Sequence, residues 1–113
     1  MNNEVKGLRL IITIVARGKG KKVSKIFEKI GCNIHQIHLG YGTVTDEVLQ
    51  YLGLATIEKD VVFSLADEKI APYMLSTINE EMNMSSPGQG IACSIPIQSV
   101  AGKTTLNAII DSE

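Results

Sequence analysis

The chain has 113 residues, of which 44% are hydrophobic and 20% charged, and its formal net charge is −1. This composition is typical of one globular domain, and the near-zero charge argues against general electrostatic binding of nucleic acid. No apolar run approaches the ~20 residues of a membrane-spanning helix, and two cysteines are too few for a disulfide framework. We therefore expect a single cytoplasmic domain over residues 1–113, without membrane insertion.

The first half of the chain predicts a strand, a helix and a second strand. Leu8 to Val15 is a run of apolar and β-branched residues, which favours a strand covered on both faces over a signal peptide. Val23 to Ile30 carries an apolar stripe at helical spacing, and Gly31 is a typical C-terminal stop. The alternation from Ile34 to Tyr41 predicts the second strand. A short helix over Thr45 to Gly53 is expected in the connection that follows.

The second half of the chain repeats this order. Asp60 to Ala66 predicts a third strand, and Asp67 is expected to cap the second helix. Ile91 to Ile97 predicts a fourth strand, in which Pro96 indicates an edge position or a bulge. Thr105 to Ile110 is interpreted as a short fifth strand. The buried stripe of the second helix repeats at every fourth residue: Ile70, Met74, Ile78 and Met82.

This order predicts an α+β ferredoxin-like plait (βαββαβ), a four-stranded antiparallel sheet with two helices on one face. The short helix lies in the connection between strands two and three, the core spans about residues 8–102, and residues 103–113 form a tail. Two helices cover one face only, yet the first strand is apolar on both sides. Because exposed apolar patches usually mark interfaces, we expect a homo-oligomer.

Two glycine-containing turns are candidates for anion binding. Gly18 to Lys22 stands between a strand and a helix start, and it is interpreted as a turn and a solvated basic face, with anion binding as the alternative. In Pro87 to Gly90 the glycines let the backbone approach a ligand and aim N–H groups at phosphate oxygens, or they make a tight entry into the strand. No set of residues resembles an active site, and Cys93 is expected to be a small hydrophobic core residue.

Candidate metal ligands are Cys32, His35 and His38, whose spacing resembles that of residues in metal sites. If both histidines lie in one strand, however, a separation of three residues places them on opposite faces of the sheet. They would then be unable to bind one ion within a subunit. Ordinary strand histidines are the favoured interpretation, and no metal ligands are assigned.

Several short motifs, taken together and in order, make the chain resemble the P-II nitrogen-regulatory signal-transduction family, in a divergent P-II-like branch. The resemblance covers about residues 8–102. The motifs that carry it are Val15 to Gly20, Gly40 to Thr43, Tyr51 to Leu54, Ile57 to Val62, Pro87 to Ala92 and Ile95 to Ile97.

The resemblance implies a non-catalytic regulator that forms a homotrimer with its sheets facing inward. Members of the family bind ATP or ADP in clefts between subunits, some together with 2-oxoglutarate, and a loop after the second strand docks on a transporter or an enzyme. By position, the base of that loop corresponds to Gly40, Tyr41 and Gly42. The turn that holds the phosphates corresponds to Gly88, Gln89 and Gly90. The alternative reading is a trimeric metal-responsive protein of the divalent-cation-tolerance type.

The sequence departs from the family pattern at the expected phosphate site. Ile91 stands where the nitrogen sensors have a lysine. Their paired arginines beyond the last strand are missing, and only Lys103 is nearby. A triphosphate would therefore lack most of its cationic contacts. Tyr51 lies in the region of the loop, but its expected helical setting argues against equivalence with the family's modifiable tyrosine.

Overall fold

The computed structural model describes residues 4–41 and 58–111. In chain order, the elements within these ranges are β1 (Leu8–Ala16), α1 (Gly20–Ile30), β2 (Ile34–Tyr41), β3 (Glu58–Asp67), α2 (Ala71–Glu81), β4 (Ile91–Pro96) and α3 (Lys103–Asp111). The helix expected over Thr45 to Gly53 falls outside the described residues.

The four strands form one antiparallel sheet in the order β2-β3-β1-β4. On the central strand β1, Ile12 lies opposite Phe63 of β3 and opposite Cys93 of β4. The α+β ferredoxin-like plait is therefore confirmed. The edge position indicated by Pro96 is confirmed as well, because β4 borders only β1. A proline is tolerated on an edge strand because its missing N–H can face the side that has no neighbouring strand.

Alternate residues of β1 and β3 face the helices and form the core. Ile11, Thr13 and Val15 point from β1 toward α1 and α2 and are buried. Helix α1 ends at Gly31, which adopts the left-handed conformation (φ 108°) and closes the helix through its backbone N–H. The buried apolar residues of the two helices are Val23, Ile26, Phe27, Ala71, Met74, Ile78 and Met82.

The opposite face of the sheet, which we call the open face, is covered by neither α1 nor α2. It is largely aliphatic, and its central residues are only half-buried, in contrast to the buried side chains of the helix face. On the edge strand β4 the exposed fractions rise to 62% for Ile91 and 42% for Ile95. The central residues of the open face are Leu10, Ile12 and Ile14 of β1 and Val61, Phe63 and Leu65 of β3.

Three expectations from the sequence are wrong. The tail is helical (α3) and not a fifth strand, since Leu106 and Ile110 are spaced for one face of a helix and are its half-buried apolar residues. Asp67 closes β3 and accepts a hydrogen bond from Lys69 N, so α2 begins only at Ala71, with Ile70 as its cap. Cys93 is exposed on the open face, because odd-numbered residues of β4 point away from the helices.

Candidate functional site

The upper end of the sheet is defined here as the end where β1 and β2 finish and where β3 and β4 begin. The register places Ile14 opposite Ile91, and it places Lys59 between Ala16 and Gly40. Both glycine motifs selected from the sequence therefore reach the same end of the sheet.

The glycine corner, residues 87–90, turns the chain from α2 into β4. Gly88 and Gly90 have φ angles of 80° and 125°, a region that side chains disfavour. A Cβ atom on Gly90 would lie 2.7 Å from the carbonyl oxygen of Ile14, so only glycine permits this approach to β1. Gln89 is exposed at the tip of the turn. The tight entry into β4 is thus a structural requirement, and it leaves the tip of the corner accessible.

The second motif lies on β2, at the other edge of the sheet. A Cβ atom on Gly40 would lie 2.9 Å from Cγ2 of Val61, which requires a small residue at this position. Tyr41 is 63% exposed and pairs with Glu58. Gly42 lies outside the described residues.

Within one chain the two motifs do not meet. Gly40 is on the edge strand β2 and Gly90 precedes the edge strand β4, with β3 and β1 between them. Three inter-strand steps of ~4.8 Å separate these edges by roughly 14 Å. A single site that uses both motifs therefore requires two copies of the chain.

A side chain of the protein already occupies the backbone amides at the start of α1. Asp60 Oδ2 accepts hydrogen bonds from Gly18 N and Gly20 N, both at 2.9 Å. A Cβ atom on Gly20 would lie 2.9 Å from the same oxygen, so the glycine is needed for the contact. Because Asp60 occupies the amides of Gly18 and Gly20, the interpretation of Gly18 to Lys22 as a turn and a basic face is favoured over an anion held by those two amides.

The charges at the upper end are partly neutralised. Arg17 forms an exposed ion pair with Glu58, and the hydrogen bond and the charge of that carboxylate raise the pKa of the guanidinium above its ordinary value. Lys59, half-buried opposite Gly40, forms no ion pair with any described residue. Lys103 is at the far end of the sheet, where its Nζ donates to the carbonyl oxygen of Glu4 at 2.9 Å. Within a chain, Lys103 is therefore too distant to serve the glycine corner.

Sequence reasoning missed a groove beside the glycine corner. A cavity of about 400 Å³ lies between α2 and β4. Its lining residues include Leu75, Asn79, Met84, Gly90 and Ala92. Leu75 is an apolar residue on the flank of α2, outside the stripe of residues at every fourth position. An apolar side chain beside that stripe is the one sequence signal that could have indicated the groove.

The histidines and the buried cysteine have structural roles. His35 Nε2 and Nδ1 lie 2.8 Å from Cys32 O and from Ser64 Oγ. The carbonyl can only accept, so Nε2 donates to it, and Nδ1 shares a second hydrogen bond with the serine hydroxyl. His38 points to the open face, as the alternation predicted, and its ring lies edge-on to Phe63. In residues 4–41 and 58–111 no group of three or more histidine, cysteine or acidic residues is placed to hold a metal ion.

Comparisons with known proteins identify the fold. Three similar solved structures are PII from Arabidopsis thaliana bound to citrate, CPII from Thiomonas intermedia bound to ADP, AMP and acetate, and a putative PII-like signaling protein from Thermus thermophilus. Each has a TM-score of 0.62, and the sequence identities are 16%, 10% and 15% respectively. They cover 82%, 83% and 86% of this chain, and the chain covers 77%, 89% and 92% of theirs.

The chain therefore has the fold of the PII and PII-like signalling proteins, as its motifs indicated. No family model and no curated protein sequence matches it. No helix among the described residues is long and apolar enough to cross a membrane.

Proposed function

We propose that the protein is a non-catalytic, PII-like regulator that binds an adenine nucleotide or another small anionic effector between subunits and acts on a protein partner. The observation that carries this proposal is the placement of the two glycine motifs at opposite edges of the same end of the sheet. In a ring of identical chains, the β4 edge of one copy meets the β2 edge of the next. Gly88, Gln89 and Gly90 then face Gly40, Tyr41 and Gly42 of the neighbour.

The open face supports a trimeric ring. Its central aliphatic residues are half-buried in the single chain, and packing three such faces around an axis would remove them from water. Size-exclusion chromatography with light scattering tests this arrangement. A mass of three chains is expected, and a monomer at micromolar concentration contradicts the proposal.

The charge of the cleft favours an effector with few phosphates. Arg17 is paired with Glu58, and Ile91 supplies no charge, so Lys59 is the free cation closest in register to Gly40 among the described residues. Each further phosphate would add negative charge with little to balance it. Bound ADP and AMP in CPII of the same fold are consistent with this preference.

Isothermal titration calorimetry with ATP, ADP, AMP and 2-oxoglutarate tests the effector. We expect AMP or ADP to bind at least as tightly as ATP, and Lys59→Gln to weaken binding severalfold while the exposed control Lys69→Gln does not. Absence of heat with all four ligands would rule out nucleotide sensing. Binding that is insensitive to Lys59→Gln would show that the phosphates lie elsewhere.

The regulated partner is proposed to be a transporter or an enzyme. Regulation without catalysis requires that effector-bound and effector-free forms differ in affinity for that target. Effector binding in the cleft would be coupled to the segment that follows β2, because Gly40 and Tyr41 belong to the proposed cleft and directly precede that segment.

A further inference from the structure

The solvent face of α1 carries a strip of lysines that the proposed effector site does not use. Lys21, Lys25 and Lys29 follow one another at every fourth residue and so lie in one row along the helix. Lys22 stands next to this row, about 100° around the helix from Lys21 and three residues before Lys25. All four side chains are exposed. We call these four residues the lysine strip; it is about 12 Å long.

These lysines form no salt bridge within the described part of the chain, although Glu28 lies on the same helix. The salt bridge found there is Arg17 with Glu58, and it lies before the helix. Four like charges on one helix face destabilise the helix slightly, by roughly 0.2–0.5 kcal/mol for each close pair. The strip therefore does not serve the stability of α1, whose buried face already secures the helix.

The strip also contrasts with the rest of the molecule. Residues 17–29 contain six basic side chains against the single acidic Glu28, a net charge of +5. Because the whole chain has a net charge of −1, the other hundred residues carry −6. Positive charge is thus concentrated in this short stretch of the sequence, whereas the remaining residues are negative in net charge.

Two backbone amides at the start of α1 are already occupied, since Asp60 accepts from Gly18 N and Gly20 N. The negative charge of this carboxylate also partly neutralises the positive end of the helix dipole. Attraction of an anion to this side of the protein consequently rests mainly on the lysine side chains.

We propose that the lysine strip is a docking surface for a short acidic segment of a partner protein. A short segment with carboxylates at the spacing of Lys21, Lys25 and Lys29 would match the row of charges. The proposal concerns α1 alone and does not depend on the effector cleft.

Two other polyanions fit less well. A nucleic acid strand carries charge along its whole length and would extend beyond the strip, over a protein whose other residues carry a net charge of −6. A membrane-surface helix inserts its apolar face into the lipid, whereas Val23, Ile26 and Phe27 of α1 are at most 7% exposed and pack on the sheet.

The test is binding of a fluorescein-labelled helical peptide with glutamate at every fourth position, followed by fluorescence anisotropy at low ionic strength. We expect Lys25→Gln/Lys29→Gln to weaken binding about fivefold or more, from the loss of two exposed ion pairs. The matched control is Lys6→Gln/Lys69→Gln, which removes two exposed lysines elsewhere and should leave the affinity unchanged. Glu28→Gln should strengthen binding, and Lys25→Arg/Lys29→Arg should preserve it.

Several outcomes would overturn the proposal. An equal loss of peptide affinity in the two double-glutamine variants would show that binding depends only on the total charge of the protein. No binding of the glutamate peptide at low salt, or tighter binding to single-stranded DNA or to phosphatidylserine vesicles than to the peptide, would assign the strip to another partner or to none. AMP and ADP titrations of the same variants separate this question from the effector site, because the strip variants should bind nucleotides as the unmodified chain does.

Discussion

The carboxylate of Asp60, near the start of β3, lies 2.9 Å from the backbone nitrogen of Gly20, the first residue of α1. The same oxygen accepts from Gly18 N, so one side chain from the sheet caps the helix in place of a local capping residue. Helix starts usually receive this contact from a neighbouring Ser, Thr, Asp or Asn. Here the contact joins β3 to α1 across 40 residues of sequence.

Replacing Asp60 should destabilise the domain. We expect Asp60→Ala to lower the free energy of unfolding by about 1–2 kcal/mol, the usual cost of losing a helix cap. Asp60→Asn, which keeps one acceptor oxygen, should cost less. Urea denaturation at fixed protein concentration measures both, with the exposed Glu28→Gln as a control expected to change stability by less than ~0.5 kcal/mol. Equal stability of Asp60→Ala and the control would contradict the capping role.

The glycine corner can be tested with a matched pair of alanine substitutions. Gly90 and Gly18 both have positive φ angles, 125° and 92°, but only at Gly90 would a Cβ meet backbone, at 2.7 Å from Ile14 O. Both alanines introduce roughly 1–2 kcal/mol of conformational strain. Gly90→Ala should cost about 1–3 kcal/mol more, because the β1 carbonyl must move. Thermal unfolding compares the two variants, and similar losses would mean that the corner relaxes without strain.

Two buried hydroxyl groups should respond in opposite directions. Thr13 Oγ1 is buried without a hydrogen-bond partner among the described residues, whereas Ser64 Oγ lies 2.8 Å from His35 Nδ1. Thr13→Val should raise the free energy of unfolding by about 1 kcal/mol, because an unsatisfied buried hydroxyl is removed. Ser64→Ala should lower it by about 1 kcal/mol or more. Destabilisation by Thr13→Val would indicate that the hydroxyl has a bound water as its partner.

A charge on the open face should disrupt the assembly. Ile12 is in the middle of that face, between Phe63 and Cys93. Ile12→Glu would place a carboxylate in the proposed interface, and we expect a shift from trimer to monomer in light scattering. Tyr73→Glu, at a side chain 64% exposed on α2, is the control that should remain trimeric. Circular dichroism verifies that the monomer is folded.

The two cysteines provide a second readout of the same interface. Cys93 is exposed on the open face, whereas Cys32 is 2% exposed and its Sγ lies 3.1 Å from Leu65 O. In the Ile12→Glu monomer, Cys93 should react with a thiol reagent in the native state. In the assembled protein both thiols should react slowly, since the neighbouring sheets cover Cys93. Rapid reaction of Cys93 in the unmodified assembly would place this face outside the interface.

The sequence predicted the plait because each element carried its own periodicity. The boundaries of β2 were predicted correctly, and α1 was predicted from the stripe that begins at Val23. The errors arose where long-range contacts override local pattern. Asp60 reads as an ordinary strand residue until its contact with Gly20 is known, and the exposure of Cys93 depends on which face the helices cover. Thr105 to Ile110, expected to be a short strand, belongs to α3.

The candidate site was recoverable only in part. The glycines at 40, 88 and 90 could be selected from sequence because their positions next to strands are visible there. Packing between strands makes the further demands: Val61 requires a small residue at position 40, and the carbonyl oxygen of Ile14 requires glycine at position 90. Resemblance, and not periodicity, suggested the nucleotide, and that part remains a prediction.

The opposite-edge placement of Gly40 and Gly90 predicts genetic complementation between defective chains. A chain impaired at its β2 edge and a chain impaired at its glycine corner would each form homotrimers without a competent cleft. Co-assembled in one ring, they create one junction where an unimpaired β2 edge meets an unimpaired glycine corner. Mixed subunits should therefore recover ligand binding that both parents lack, a behaviour unavailable to a site built within a single polypeptide.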